Sequence, residues 1–174
     1  MITIISSTNR PDSRSLQVAL YYKKILDSKG VESKIIDLTE LPYDFIFSAL
    51  YHNLGKNEVF NKFIQQVNDS EKFVFIVPEY NGSFPGTLKA FIDGMEYPGG
   101  FRNKKCALVG LSSGTQGGSL ALSHLTDIMH YLNVIVLPSK PRLARVDQVF
   151  QNGEVTDKFL RALIDQQAED LINI

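Results

Sequence analysis

Residues 73–95 read FVFIVPEYNGSFPGTLKAFIDGM, a segment whose periodicity changes once along its length. Phe73 to Val77 is a short apolar run without polar alternation, as a strand buried on both faces requires. Leu88, Phe91, Ile92 and Met95 then recur at i, i+3, i+4 and i+7, the period of an amphipathic helix. Between them lies Pro78 to Gly86, with turn signals at Asn81-Gly82 and Pro85-Gly86. The unit is strand, loop, helix.

Elsewhere in the chain, Ile2 to Ile5, Ala107 to Leu111 and Val134 to Leu137 are runs of the same kind. Val31 to Ile36 alternates more, as an edge strand covered on one side does. Helical spacing recurs at Leu16, Ala19, Tyr22 and Leu26, and at Phe60, Phe63, Ile64 and Val67. It recurs again at Ala121, Leu125, Ile128 and Met129, and at Leu160, Leu163, Ile164 and Leu171. Five strands alternating with five helices predict an α/β fold, a doubly wound parallel sheet with helices on both faces. Five strands fit the flavodoxin-like order 2-1-3-4-5 better than the six-stranded dinucleotide fold. The 174 residues then form one domain, 1–174.

Ligands on such a sheet sit beyond the carboxyl ends of the strands. The loops of interest are therefore Ser6 to Ser15, Pro78 to Gly86 and Leu111 to Gly118. One connection, Leu38 to Lys56, is unusually long and carries Tyr43, Phe45, Phe47 and Tyr51. It reads either as a subunit contact or site wall, or as an ordinary self-packed loop.

Composition narrows the partners. Lys and Arg total 18 against 19 Asp and Glu, with no dense cationic run, which argues against nucleic acid. No stretch reaches the ~18 consecutive apolar residues of a membrane span, and the N-terminus reads as a strand, not a signal peptide. The single Cys106 excludes an intrachain disulfide, offers no metal-ligand spacing beside His124 and His130, and reads as a small buried hydrophobe. A cytoplasmic setting is expected.

The first loop holds five hydroxyls and two guanidinium groups within the ten residues from Ser6 to Ser15. A phosphate needs converging donors, positive charge and a helix N-terminus, and this loop supplies all three. Ser13 or Ser15 equally suits a plain N-cap, and Asp12 is expected to point outward. Neither the Walker spacing nor Gly-x-Gly-x-x-Gly is present. In the third loop, Gly114, Gly117 and Gly118 permit close backbone approach to a flat ligand.

These residues resemble the NADPH-dependent FMN reductase family, flavodoxin-like flavoproteins with azo-dye, quinone and chromate reductase relatives. Its first signature runs roughly Gly-Ser-x-Arg-x-x-Ser-x-Asn, matched by Ser7, Thr8, Arg10, Ser13 and Ser15, with Ser7 replacing a glycine and Ser15 an asparagine. Its second, Pro-Glu-Tyr-Asn-Gly-Ser-x-Pro-Gly, is reproduced by Pro78 through Gly86. Ser113-Gly114 and Gly117-Gly118 resemble its third contact region.

The resemblance implies bound FMN, with Ser7, Thr8, Arg10, Ser13, Arg14 and Ser15 around the phosphate. It implies Pro78, Glu79, Tyr80, Asn81, Gly82, Ser113, Gly114 and Gly117 around the ring. It further implies hydride from NADPH or NADH, a small-molecule acceptor such as a flavin, quinone or azo compound, and a homodimer or homotetramer. The flavin does the chemistry in such proteins, so no acid-base dyad is expected. Arg102, Arg142 and Arg145 are candidates for the extra phosphate of NADPH, against the ordinary reading of solvated arginines.

Three other readings compete with this one. Gly110-Leu111-Ser112-Ser113-Gly114 matches the Gly-x-Ser-x-Gly elbow of hydrolases, but no His follows Asp147 to complete the order Ser, acid, His. A phosphoryl receiver needs acids after strand one, where Ser6-Ser7 stand. A flavin-binding electron carrier without turnover is the remaining alternative; near-neutral charge and the absence of Trp disfavour it.

Overall fold

The computed structural model describes all 174 residues. Its sheet is built on β1 (Ile2–Ser6), which pairs in parallel with β2 (Ser33–Asp37) on one side and β3 (Lys72–Pro78) on the other. β4 (Lys105–Leu111) adds to β3, and β5 (Ile135–Val136) to β4, giving the order β2-β1-β3-β4-β5. This is the flavodoxin-like order expected from the strand count, with the alternating Val31–Ile36 segment at the edge.

The period-2 alternation of strand side chains divides the core in two. Phe73, Phe75 and Val77 point to one face, where α3 (Glu58–Asn68), α4 (Gly86–Asp93) and α5 (Ser119–Tyr131) cover them. Val74 and Ile76 point to the other, under α1 (Arg14–Ser28) and α7 (Lys158–Asn173). In α1, Val18 is buried and Leu16 only half-buried, because the inward stripe is centred one residue away from the expected one.

The fifth strand departs from the expected single run. β5 has two residues, and a separate β6 (Arg142–Leu143) resumes the pairing with β4 at Gly110–Leu111. Pro138 and Pro141 fall in between, and proline has no N–H to give a ladder. The carbonyl of Leu108 is served instead by Nε2 of the buried Gln167 at 3.0 Å, which also donates to Ser139 O at 2.8 Å. A short α6 (Val146–Val149) and a hairpin of β7 (Phe150–Gln151) and β8 (Glu154–Val155) precede α7. Asn152 and Gly153, both at positive φ, make that hairpin's turn.

The long connection folds on itself in part. Its short helix α2 (Phe45–Ser48) buries Phe45, whose ring stacks on Phe60 at 5.5 Å, and Ala49 and Leu50 join the same core. Tyr43, Phe47 and Tyr51 remain exposed.

Candidate functional site

Parallel strands and a break in winding between β1 and β3 open a cleft at the carboxyl edge of the sheet. Its volume is about 360 Å³. Thr8, Arg10, Ser13, Arg14 and Ser15 line one wall, Pro78, Glu79 and Tyr80 a second, and Ser112 and Ser113 a third. The three loops singled out in the sequence therefore meet.

The first wall is the entry to α1. Ser13 is the N-cap: its Oγ accepts from Leu16 N at 3.2 Å. Ser15 Oγ is different, because the residue is only 2% exposed and its hydroxyl has no partner. The amides of Arg14 and Ser15 also have no acceptor within the chain, as expected of the first turn of a helix. A buried hydroxyl without a partner costs about 1–3 kcal/mol, so it marks a place where an acceptor belongs. Arg14 Nε donates to Asp147 Oδ1 at 2.8 Å, whereas Arg10 has no carboxylate partner and is the free guanidinium of the cleft.

The second wall is a two-residue hairpin. Tyr80 and Ser83 exchange backbone hydrogen bonds of 2.7 and 3.0 Å around Asn81 (φ 50°) and Gly82 (φ 74°), a turn that suits Asn-Gly. Asn81 and Gly82 thus shape the turn and do not line the cleft. The turn presents Tyr80, whose hydroxyl lies 2.7 Å from Thr8 Oγ1. Thr8 Oγ1 also accepts from Arg10 N at 3.2 Å, so one phenol braces the first loop.

The third wall is organised by Ser112, whose Oγ donates to Gly114 O at 3.1 Å and accepts from Gly117 N at 3.0 Å. The glycines there divide by role. A Cβ at Gly114 would meet nothing within 4 Å, so its backbone borders open space. A Cβ at Gly117 would lie 2.8 Å from Arg142 Cβ, so this glycine, at φ +59°, serves internal packing and lies off the cleft. Ser7 is buried, with its hydroxyl donating to Ile5 O at 3.2 Å, and supports the first loop from beneath.

Six lining residues are not among the expected site residues: Pro11, Asp12, Leu111 and Ser112, which lie in the singled-out loops, and Val146 and Asp147, which lie outside them. Asp12 borders the cleft and is exposed there. Asp147 meets Arg14 from 133 positions away, and no local spacing signals it. Ser112 lay inside the elbow motif, but its hydroxyl is consumed by the loop's own backbone.

Of the three loop arginines, Arg102 sits in the turn before β4, at the opposite edge of the sheet, while Arg145 donates its amide to Gly114 O at 2.8 Å beside the third wall. A larger hollow of about 460 Å³ lies between the C-terminal halves of α4 and α5, walled by Ile92, Met95, Phe101 and Ile128. Its cation, Lys89, is already paired with Asp93 at 2.7 Å. The carboxyl-edge cleft, with its convergent unpaired donors, is the better site for an anionic ligand.

The donor set fits FMN: an orphaned buried hydroxyl, free amides at a helix N-terminus and a free guanidinium belong to one wall and a tyrosine to another, while Gly114, beyond the lining itself, borders open space next to Ser113.

The sequence profile described as NADPH-dependent FMN reductase matches residues 1–145. A 2-hydroxy-1,4-benzoquinone reductase of a Burkholderia species is 28% identical over 176 residues, covering 96% of this chain and 93% of its own. An NAD(P)H-dependent FMN reductase of Pseudomonas aeruginosa is 29% identical over 147 residues, 82% of this chain and 77% of its own. In three dimensions, a flavoenzyme NAD(P)H:(acceptor) oxidoreductase from Paracoccus denitrificans superposes with a TM-score of 0.76 at 24% identity, covering 99% and 96% of the two chains. The last likeness establishes the shared fold. No helix of the chain is long and apolar enough to cross a membrane.

Proposed function

The chain belongs to the NADPH-dependent FMN reductase family, and from that premise we propose that its carboxyl-edge cleft holds FMN for electron transfer from NAD(P)H to a small planar acceptor. It is an FMN-dependent oxidoreductase, and its cofactors are FMN and a nicotinamide nucleotide. Bound FMN supplies the chemistry, exchanging electrons with a nicotinamide and then with the acceptor.

The residues bind and orient. Thr8, Arg10, Ser13, Arg14, Ser15 and the free amides of α1 take the phosphate, with Ser15 Oγ gaining the acceptor it lacks. Pro78, Glu79, Tyr80, Ser113 and the Gly114 backbone border the ring, while Ser7, Asn81, Gly82 and Gly117 hold the loops in shape. The acceptor-less amides that open α1, on the same wall of the cleft as the unpaired Arg10 guanidinium, are the observation that carries this placement.

The acceptor class is a quinone, by similarity to relatives named for quinone reduction at 25 to 28% identity over nearly the whole chain. The exposed rings of Tyr43, Phe47 and Tyr51 support self-association, with a homodimer or homotetramer as the working unit. A cytoplasmic setting accords with one free, buried cysteine.

The test is spectroscopic. The purified protein, supplied with FMN and freed of excess by gel filtration, is expected to stay yellow and to bleach when NADPH or NADH is added without oxygen. Adding 1,4-benzoquinone should restore the colour. Retained flavin that neither nucleotide bleaches would instead describe an electron carrier.

A further inference from the structure

The Tyr80–Ser83 hairpin stands over the cleft as an isolated two-residue turn, and such a turn is marginally stable by itself. Its two ends are held by Glu79 N, which donates to Leu111 O at 3.0 Å, and by Phe84, which packs on the core; its tip is held from two directions. Tyr80 reaches forward to Thr8, as described above. From behind, α5 supplies two side chains one helical turn apart, Leu120 and His124, which share a face. A Cβ on Gly82 would lie 3.9 Å from Leu120 Cδ1, so this leucine sits directly beneath the turn. His124 Nδ1 lies 2.9 Å from Ser83 Oγ, the one side-chain hydrogen bond between the turn and α5. His124 is exposed, pairs with no carboxylate and caps no helix, so this bond is the only hydrogen bond of its side chain.

We propose that His124 is a positioning residue for the cofactor cleft: by anchoring Ser83 it fixes the hairpin that carries Tyr80, and through Tyr80 it sets the loop around Thr8 and Arg10. The proposal rests on the reading of this cleft as the FMN site. The chain of contacts runs His124 to Ser83, across the hairpin to Tyr80, then to Thr8 Oγ1 and Arg10 N, so a residue on α5 acts on both the ring end and the phosphate end. Without the anchor the hairpin samples other positions, and apparent affinity falls in proportion to the fraction of molecules that keep it in place.

The experiment compares FMN affinity, by flavin fluorescence titration, in the full-length wild-type protein and in His124→Ala, His124→Asn, Ser83→Ala and the double alanine variant. Thermal melting of each protein without flavin is measured alongside. His124→Ala is expected to weaken FMN binding by about threefold to tenfold, the range of one hydrogen bond, with melting of the flavin-free protein unchanged. Asn places an amide near the position of Nδ1 and should restore affinity to within about twofold. Ser83→Ala should match His124→Ala, and the double variant should be no worse than either, because both break one bond. Wild-type affinity in His124→Ala, additive losses in the double variant, or a lowered flavin-free melting point with no rescue by Asn would each overturn the positioning role. Failure of the wild-type protein to bind FMN would overturn the reading of the cleft itself, and the proposal with it.

Discussion

Tyr80 Oη lies 2.7 Å from Thr8 Oγ1, a hydrogen bond that spans 72 positions and ties the loop after β3 to the loop after β1. Tyr80→Phe keeps the ring and removes only this tie. It is expected to weaken FMN binding by about 0.5 to 1.5 kcal/mol, roughly twofold to tenfold, by fluorescence titration. Affinity equal to wild type would mean that the first loop keeps its shape unaided.

Ser15 gives a prediction with opposite signs in the two states. Its buried hydroxyl has no partner, so Ser15→Ala relieves a desolvation cost of about 1 to 3 kcal/mol in the flavin-free protein. Melting of that form should rise, while FMN affinity should fall because the phosphate loses a donor. A parallel change in both quantities would place the acceptor of this hydroxyl elsewhere.

Arg10 is the guanidinium of the cleft that no carboxylate holds, whereas Arg14 is engaged by Asp147 at 2.8 Å. Arg10→Ala should therefore cost more FMN affinity than Arg14→Ala, about 1.5 to 3 kcal/mol for a charge-assisted contact. The loss should shrink as salt is raised, since Arg10 is exposed. Equal losses at the two positions would contradict the division of labour drawn from the ion pair.

The glycines of the third wall separate folding from binding. A Cβ at Gly110 would lie 2.4 Å from Gly117 O, so Gly110→Ala should destabilise the fold by about 1 to 3 kcal/mol or more, read in urea unfolding. Gly114→Ala meets no protein atom, and should leave stability intact while weakening FMN severalfold. An unaffected affinity would move the ring away from Gly114.

Burial pushes the Cys106 thiol up to about 12 from an ordinary 9.0, and burial first, then Asp170 and Asp165, raises the Tyr22 phenol as well. Both groups are neutral when protonated, and the folded state holds their protons more tightly than the unfolded chain does. Their contribution is therefore complete below the unfolded values and lost as pH rises above about 9. The urea midpoint should fall beyond that pH. Iodoacetamide at about pH 8 should label Cys106 only in denaturant; labelling of the folded protein would contradict the burial.

The alternation of strands and helices, and with it a parallel sheet and the three loops at its carboxyl edge, was legible from the chain alone, while the order 2-1-3-4-5 came from matching the strand count to a known arrangement. The alternation follows from periodicity within short windows, where an apolar run of five residues or an i, i+3, i+4 stripe reports directly on burial. Pro78 to Gly86 was legible for the same reason, since Asn81-Gly82 dictates its own turn. Where chain neighbours do not settle the outcome, only the tertiary structure decides. The fifth strand is split because Pro138 and Pro141 withhold donors, and the gap is tolerable only because Gln167, brought in on α7, bonds Leu108 O. Asp147 beside Arg14, Tyr80 on Thr8 and His124 under Ser83 join residues 133, 72 and 41 positions apart. The two serines of the α1 entry are alike in composition, yet Ser13 caps the helix and Ser15 is left without a partner. That difference is one of orientation on a helical turn, which packing against the sheet fixes and local sequence does not.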